Sequence, residues 1–449
     1  MSILPPMNPP PADSYKAHLE TIESQWETAL AATQFDAVIV AAGASRNYLF
    51  DDHAPTFRAN PHLALWFPFE QAENSALLVV PGDRPKLYFY QPKDYWHLPP
   101  EAPTWAESAF DMKTFDSVDA LHSALLNDAE RHNKVAYIGE GPSPNFPVAD
   151  ANPTLLINRL HYQRAYKTPF EIDCIRAATE ASVIGHVAAR KAFAAGCSEF
   201  QIHSDYLAAS LQTAADLPYS NIVAVNEHAA VLHYQHYDVA VPDEPRSFLI
   251  DAGARHFGYA ADITRTYSAH PSDRFAELID ALDREQQTLV QTIRPGIDYL
   301  DLHVDMHRRL GVLLADFDLV RCHPDHAFES GITQSFLPHG LGHLLGLQTH
   351  DVAGQQTSAD GGQSPPPEAY PALRLTRRCE ASMVFTIEPG LYFIPILLDA
   401  LRKGPLGKEV NWTTVDAFLP YGGIRIEDNV LVTHDSHHNF TREAFAAHG

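Results

Sequence analysis

The sequence predicts a mixed α/β (α+β) chain in two regions, an N-terminal α/β layer domain and a larger C-terminal region of long helices and apolar strands. Three observations predict it. Short β-branched and aromatic runs alternate with helical patterns between residues 37 and 164. Long helical periodicities begin at Lys167. Apolar strand patterns then return at residues 247–267, 377–390 and 422–433, and each carries acidic residues. The boundary is expected near Arg164, giving domains of residues 1–165 and 166–449.

Taken in order, residues 1–11 are proline-rich and expected to be poorly ordered. Residues 14–32 read as a helix with Leu19, Ile22 and Trp26 on its apolar side. Strands are expected at 37–42, 63–69, 75–80 and 86–90, with Pro81-Gly82 as a turn. A helix at 114–127, a strand at 134–138, a proline-rich surface connection at 142–153 and a helix at 155–164 complete the first domain, which shows no phosphate-binding glycine loop. The second begins with a helix over 167–193. Ser198-Glu199-Phe200-Gln201 is a capping box that starts the next helix, through Leu211. Strands are expected at 221–225 and 229–234, an amphipathic helix at 273–293 stopped by Pro295-Gly296, and another helix at 301–314.

Composition narrows the function. At 449 residues the chain holds about three domains or fewer, at ~150 residues each. Asp and Glu outnumber Lys and Arg by 56 to 32, and the net charge of −24 argues against nucleic acid and anionic membrane as partners. Such a balance suits a protein that attracts cations locally. Cys174, Cys197, Cys322 and Cys379 are scattered, so neither a disulfide framework nor a thiolate metal site is indicated. The N-terminus lacks a basic region with an apolar core, and no apolar run approaches the ~20 residues of a membrane span. The expected compartment is the cytoplasm.

The chemistry gathers in three stretches. SFLIDAGARHFGYAADITRTY, residues 247–267, reads as two short strands with a reversal bracketed by Gly253 and Gly258. It places Asp251 and Asp262 in apolar surroundings. Buried carboxylates are costly, and two brought together repel; a divalent cation removes both penalties. The plain alternative is a turn cap for one and a pairing with Arg255 or Arg265 for the other. LPHGLGHLLGLQTHD, residues 337–351, carries His339, His343 and His350 among Gly340, Gly342 and Gly346, so it is expected to be a loop feeding a strand. Glu388 follows an apolar strand and precedes Pro389-Gly390, and Glu427 lies two residues from Arg425, on the same face of a strand. Solvent-facing strand ends and an Arg425–Glu427 ion pair are the alternatives there. Four carboxylates with one imidazole suit Mn²⁺, Co²⁺ or Zn²⁺, and four are more than one metal needs, which points to two metals bridged by carboxylates.

D-A-G, A-D-I-T-R-T, H-G-L-G-H, T-I-E-P-G and G-G-I-R-I-E-D-N, in this order, resemble the pita-bread metallopeptidases of family M24. The likeness is greatest to the bacterial Xaa-Pro dipeptidase (prolidase) branch, which includes the organophosphorus acid anhydrolases. It also takes in YLFDDHAPTFRANPHLALWFP and NIVAVNEHAAVLHY, and so spans nearly the whole chain. Ser382 departs from it, standing where the family usually has glycine.

The resemblance implies a curved antiparallel pita-bread sheet covered by helices and two divalent ions, Mn²⁺ first, with Co²⁺ or Zn²⁺ as alternatives. Asp251 would bind one ion, His343 and Glu388 the other, and Asp262 and Glu427 both. His339 would be a proton shuttle or oxyanion donor, and Glu388 a general base. His233 and His350 would line the pocket, Arg374 would clamp the substrate carboxylate, and Arg425 would orient it. Asp51 or Asp52 would reach a neighbouring subunit's site in a homodimer. The implied reaction is hydrolysis of Xaa-Pro dipeptides, with a possible side activity on organophosphorus esters. Aminopeptidase P or organophosphate chemistry on the same scaffold and, more distantly, a non-catalytic peptide-binding module are the alternatives. Arg377 and Arg378 are expected at the surface.

Overall fold

The computed structural model describes residues 10–140 and 150–449. The proline-rich start and most of the 142–153 connection lie outside the described residues. Two compact units are present: residues up to Arg164 with Thr168–Asp173 and Ser358–Gly362, and the remainder. Among the described residues no helix is long and apolar enough to cross a membrane, and the four cysteines are free.

The first unit runs α1 (Ala12–Thr33), β1 (Ala37–Ala41), α2 (Pro61–Trp66), β2 (Ala76–Val79), β3 (Lys86–Tyr90), α3 (Ala106–Ala109), β4 (Asp111–Phe115), α4 (Val118–Ala129), β5 (Val135–Ile138), β6 (Asp150–Ala151) and α5 (Thr154–Arg164). Its strands form one sheet in the order β4-β3-β2-β1-β5-β6. The outer pairs are parallel, and β1–β2 and β2–β3 antiparallel. α1 buries Leu19, Ile22 and Trp26 as its periodicity requires.

Two expectations fail here. Residues 63–69 were expected as a strand, but α2 occupies 61–66. Asn60 accepts the His62 N–H, and Pro61 takes a first-turn position where its missing donor costs nothing. The helix expected at 114–127 starts later, at Val118 behind its Ser117 cap. The residues before it form β4, an edge strand with little apolar burial.

After α5 the chain continues with α6 (Pro169–Ala194), α7 (Glu199–Ser210), β7 (Ile222–Val225), β8 (Ser247–Asp251), β9 (Arg255–His256), β10 (Tyr259–Ala260), β11 (Thr264–Ser268), α8 (Arg274–Val290), α9 (Tyr299–Asp316) and α10 (Pro324–Glu329). Then come β12 (Gln356–Ser358), β13 (Gly361–Gln363), β14 (Val384–Ile387), β15 (Gly390–Tyr392), α11 (Pro395–Lys403), α12 (Trp412–Phe418), β16 (Gly423–Arg425), β17 (Asp428–Val432), β18 (His437–Asn439) and α13 (Phe440–His448). The Ser198–Gln201 capping box forms in both directions.

Antiparallel sheets β11-β8-β7, β14-β17-β18 and β15-β16 make up the strand layer. The Glu427 N–H donates to the Thr264 carbonyl at 3.0 Å, and the two residues form a bridge that ties the first group of strands to the others. α8 and α9 bury Phe275, Leu278, Leu282, Met306 and Leu310 in the core with Phe385, Ile387 and Val430.

Residues 229–234 are not the expected strand. A 3₁₀ turn covers Asn226–Ala230, and the chain that follows is irregular. Arg377 is buried beneath its expected surface position: its guanidinium lies 5.3 Å from the Tyr166 ring and donates to the Tyr166 hydroxyl at 2.7 Å. Arg378 is exposed, in an ion pair with Asp298. Ser382 adopts φ +69°, a left-handed conformation that glycine takes freely and serine at a cost of about 1–3 kcal/mol, which accounts for glycine being usual there.

Candidate metal centre and substrate pocket

One strand reversal and two breaks between consecutive strands deliver the acids, and a loop delivers the histidine. Asp251 closes β8, opposite Thr264 of β11 and Ile222 of β7. Asp262 lies just before β11, in a stretch held by Ala252 N–H to Ile263 O and Ala261 N–H to Ala254 O, both 3.0 Å. Glu388 occupies the break between β14 and β15, its N–H bonded to Leu341 O at 2.7 Å, and Glu427 the break between β16 and β17. Each carboxylate thus sits where a strand ends, so the backbone turns the side chain inward without spoiling a ladder.

His343 reaches the acids because its loop runs beside β14. Its N–H donates to Thr386 Oγ1 at 3.1 Å, and Thr386 N–H donates to its carbonyl at 3.0 Å. Gly342 is required by that approach: a Cβ there would lie 2.1 Å from Thr386 O and 2.3 Å from the Tyr299 hydroxyl.

The resulting cluster is tight. His343 Nε2 is 3.3 Å from Asp262 Oδ2 and 3.8 Å from Glu388 Oε1. One ligand atom each from Asp262, His343 and Glu427 lies within 4.8 Å of the others. Tyr219 Oη faces Asp251 Oδ1 at 2.8 Å and Asp262 Oδ1 at 2.5 Å. Arg425 does not pair with Glu427. Its Nη2 donates to Asp251 Oδ2 at 2.6 Å, its Nη1 to Tyr392 Oη at 2.8 Å and its Nε to Thr264 Oγ1 at 3.1 Å, while Thr264 donates to Glu427 at 2.7 Å. Arg265 pairs with Asp428 instead of with a centre aspartate.

The donor set fits divalent ions. Burial, then the charges of neighbouring acids, pushes Asp262, Glu388 and Glu427 well above the usual carboxylate range. Arg425 alone does not balance them. The His343 Nδ1–H points to Leu344 O at 3.0 Å, so its Nε2 lone pair faces carboxylate oxygens, and burial holds its pKa down at about 4. Lone pair against carboxylate is repulsive unless a cation lies between them.

His339 is differently placed. Its Nδ1–H donates to Gly340 O at 2.8 Å, so Nε2 accepts from the Tyr392 hydroxyl at 2.8 Å. Burial, then the Arg425 charge, lowers its pKa to about 3. Arg425, Tyr392 and His339 therefore form one donor chain beside Glu388, which is 3.7 Å from His339 Nδ1.

The open side carries the remaining candidates. The His350 ring packs edge-on against His343 at 4.4 Å and 84°. Its pKa is pushed down first by the surrounding protein, then by His343 and Arg374, with His233 adding a smaller effect. Arg374 and His233 are exposed, and among the described residues the Arg374 guanidinium has no hydrogen-bonding or ionic partner. Its charge acts on both His343 and His350. Asp51 and Asp52 lie in an exposed stretch of the first unit, with the Asp52 N–H bonded to Asp51 Oδ1 at 2.8 Å. Tyr219, Thr264, Thr386 and Tyr392 are not marked as site residues by the sequence, because a tyrosine or threonine in an apolar run carries no sign of the group it will meet.

Comparison with known proteins follows the same lines. The profile of metallopeptidase family M24 matches residues 173–434, and that of the Xaa-Pro dipeptidase N-terminal domain matches residues 13–162. Xaa-Pro dipeptidase of Xanthomonas axonopodis pv. citri is 46% identical over 434 residues, covering 96% of this chain and 98% of the relative. That of Pseudoalteromonas atlantica is 45% identical over 443 residues, with the same coverage of 96% and 98%. Among solved structures, aminopeptidase P II from Yersinia pestis superposes with a TM-score of 0.71 at 21% identity, covering 97% of this chain and 99% of the other. Aminopeptidase P from E. coli gives a TM-score of 0.71 at 20% identity, covering 97% and 98%. These structures share the pita-bread fold with its N-terminal domain. Matched by the family profile over more than half its length and by relatives nearly half identical along almost all of it, the chain belongs to metallopeptidase family M24.

Proposed function

We propose that this protein hydrolyses the bond between a residue and a C-terminal proline in dipeptides, using two divalent ions held by Asp251, Asp262, His343, Glu388 and Glu427. The observation that carries the reading is the oxygen-rich cluster itself, in which Asp262, His343 and Glu427 stand close enough together to share an ion and His343 also faces Glu388 at 3.8 Å. The near-half-identical relatives named Xaa-Pro dipeptidase support the same substrate. Bound ions would supply Lewis acidity and an activated water at neutral pH.

The protein's own groups do the rest. Asp262 and Glu427 would span both ions, Asp251 would hold one, and His343 with Glu388 the other. Glu388 would also take up the attacking water's proton. His339, backed by Tyr392 and Arg425, would act as proton shuttle or oxyanion donor once its Nε2 carries the ring proton and exchanges the Tyr392 hydroxyl for the oxygen on which charge develops. Arg425 also fixes Asp251. Proline lacks the N–H that general peptidases engage, so a dedicated pocket is required, and His233 and His350 would form its walls. Mn²⁺ is the proposed metal, with Co²⁺ or Zn²⁺ next, because oxygen donors outnumber the single imidazole. The division at residues 165/166 places all five ligands in the C-terminal domain. A cytoplasmic homodimer, with Asp52 extending toward the partner's pocket, completes the proposal.

Dipeptide length tests it. A guanidinium fork matches the proline carboxylate bidentately, whereas a tripeptide sets a neutral amide against the charge. Xaa-Pro dipeptides should be cleaved and Xaa-Pro-Xaa tripeptides refused. Losing the charge-assisted bond in Arg374→Ala should cut kcat/KM for dipeptides by ~10- to 100-fold. Organophosphorus esters carry no such carboxylate, so any hydrolysis of them should change far less in the same metal-loaded preparation. Equal losses on both substrates would make Arg374 structural, and efficient tripeptide cleavage would favour aminopeptidase P.

A further inference from the structure

We propose that Glu199 is a positioning residue of the substrate pocket, holding the 225–238 segment and through it His233; this rests on the placement of His233 in the pocket wall. Glu199 is the first residue of α7, after the Ser198 cap, and is only 2% exposed. Its Oε1 accepts from the Val225 N–H and from His228 Nδ1, each at 2.8 Å. Its Oε2 accepts from the Tyr234 hydroxyl at 2.9 Å and the Asp238 N–H at 3.0 Å. All four donors belong to one stretch of chain, and His233 sits inside it, next to Tyr234.

Glu199, His228 and Asp238 also stand close enough together to suggest a second cation site. The hydrogen bonds exclude that use. A carboxylate offers about four lone-pair positions, and four donors, two of them backbone N–H groups, fill them. The carboxylate acts as a clamp. It explains why residues 229–234, apolar enough for a strand, do not form one: their neighbours' donors are drawn to a single buried point.

The segment is fixed from the other side too. Asn226 adopts φ +60° and donates from Nδ2 to Glu244 O at 2.9 Å, and its Oδ1 accepts from the Arg246 N–H at 2.7 Å. Gly422, at φ +73°, lets the Asn226–Ala230 turn pack against the strand that leads to Arg425 and Glu427: a Cβ there would lie 2.4 Å from Asn226 O. The His228 ring stacks on Tyr234 at 4.5 Å. With both anchors made, the exposed His233, next to the bound Tyr234, is held in one position.

Glu199→Gln tests the clamp. Whichever way the amide turns, its NH₂ faces a backbone N–H, so that end of the clamp is lost. Amide hydrogen exchange should rise across 226–238 and stay unchanged in 247–268 and 384–432. KM for Xaa-Pro dipeptides should rise by about 10-fold, with kcat within about twofold and metal content unchanged. In a His233→Ala background the same change should add less than about twofold, because the two residues act through one contact. Should Glu199→Gln fail to fold, Tyr234→Phe removes one donor only and should raise KM in the same direction by a few-fold. Unchanged exchange across 226–238, an unchanged KM, or a full effect that persists in His233→Ala would each overturn the proposal. Wild-type protein that leaves Xaa-Pro dipeptides intact would instead overturn the assigned function, and the exchange measurement would still decide whether Glu199 holds the segment.

Discussion

Asp262→Asn should lose metal and activity together while keeping its fold. Asp262 is buried between Tyr219, whose hydroxyl lies 2.5 Å from Oδ1, and His343, whose Nε2 lies 3.3 Å from Oδ2. Asparagine has the same shape, so packing is preserved. It carries no charge and puts an NH₂ toward one of these neighbours, so it cannot bridge two cations. The clustered acids repel in the absence of cations, and a neutral amide relieves that repulsion, so the circular dichroism spectrum should be unchanged. Elemental analysis should find fewer than two ions per chain. Several kcal/mol of transition-state stabilisation go with the lost ions, so kcat/KM should fall by ~10³-fold or more. Two tightly held ions in an inactive Asp262→Asn protein would sink the bridging role.

The two histidines of H-G-L-G-H should part company when each is replaced by alanine. Their environments differ by one hydrogen bond: the His343 Nε2 lone pair is turned to Asp262 and Glu388, whereas the His339 Nε2 is taken by Tyr392. His343→Ala should lose metal, with activity following. His339→Ala should keep its metal and lower kcat by ~10²- to 10⁴-fold, the usual range for a positioned acid–base group, with little change in KM. The opposite pattern in metal content would reverse the assignment of the pair.

Part of this cluster is legible in the sequence because its acids break a rule, and the assignment of each to an ion comes from the family resemblance. Asp251, Asp262, Glu388 and Glu427 stand at the ends of apolar strands, where carboxylates are costly, and that cost is visible without coordinates. The strand pairings that join them are long-range and invisible, as are the hydroxyls of Tyr219, Thr264 and Tyr392 that complete the hydrogen bonding. Local reading failed where a cap or a distant side chain outweighed propensity. Asn60-Pro61 makes a helix of the apolar 63–66 stretch, and Glu199 keeps the 229–234 segment out of a sheet. Arg377 is legible only as a cation; its burial against Tyr166 follows from packing across more than two hundred residues of sequence.

The most direct test of the central claim is metal titration of the chelated protein, with Xaa-Pro dipeptide hydrolysis as the readout. Chelation should abolish activity, and added Mn²⁺ should restore it along a line that breaks at two equivalents per chain. Full activity in metal-free protein, or saturation at a single equivalent, would contradict the account.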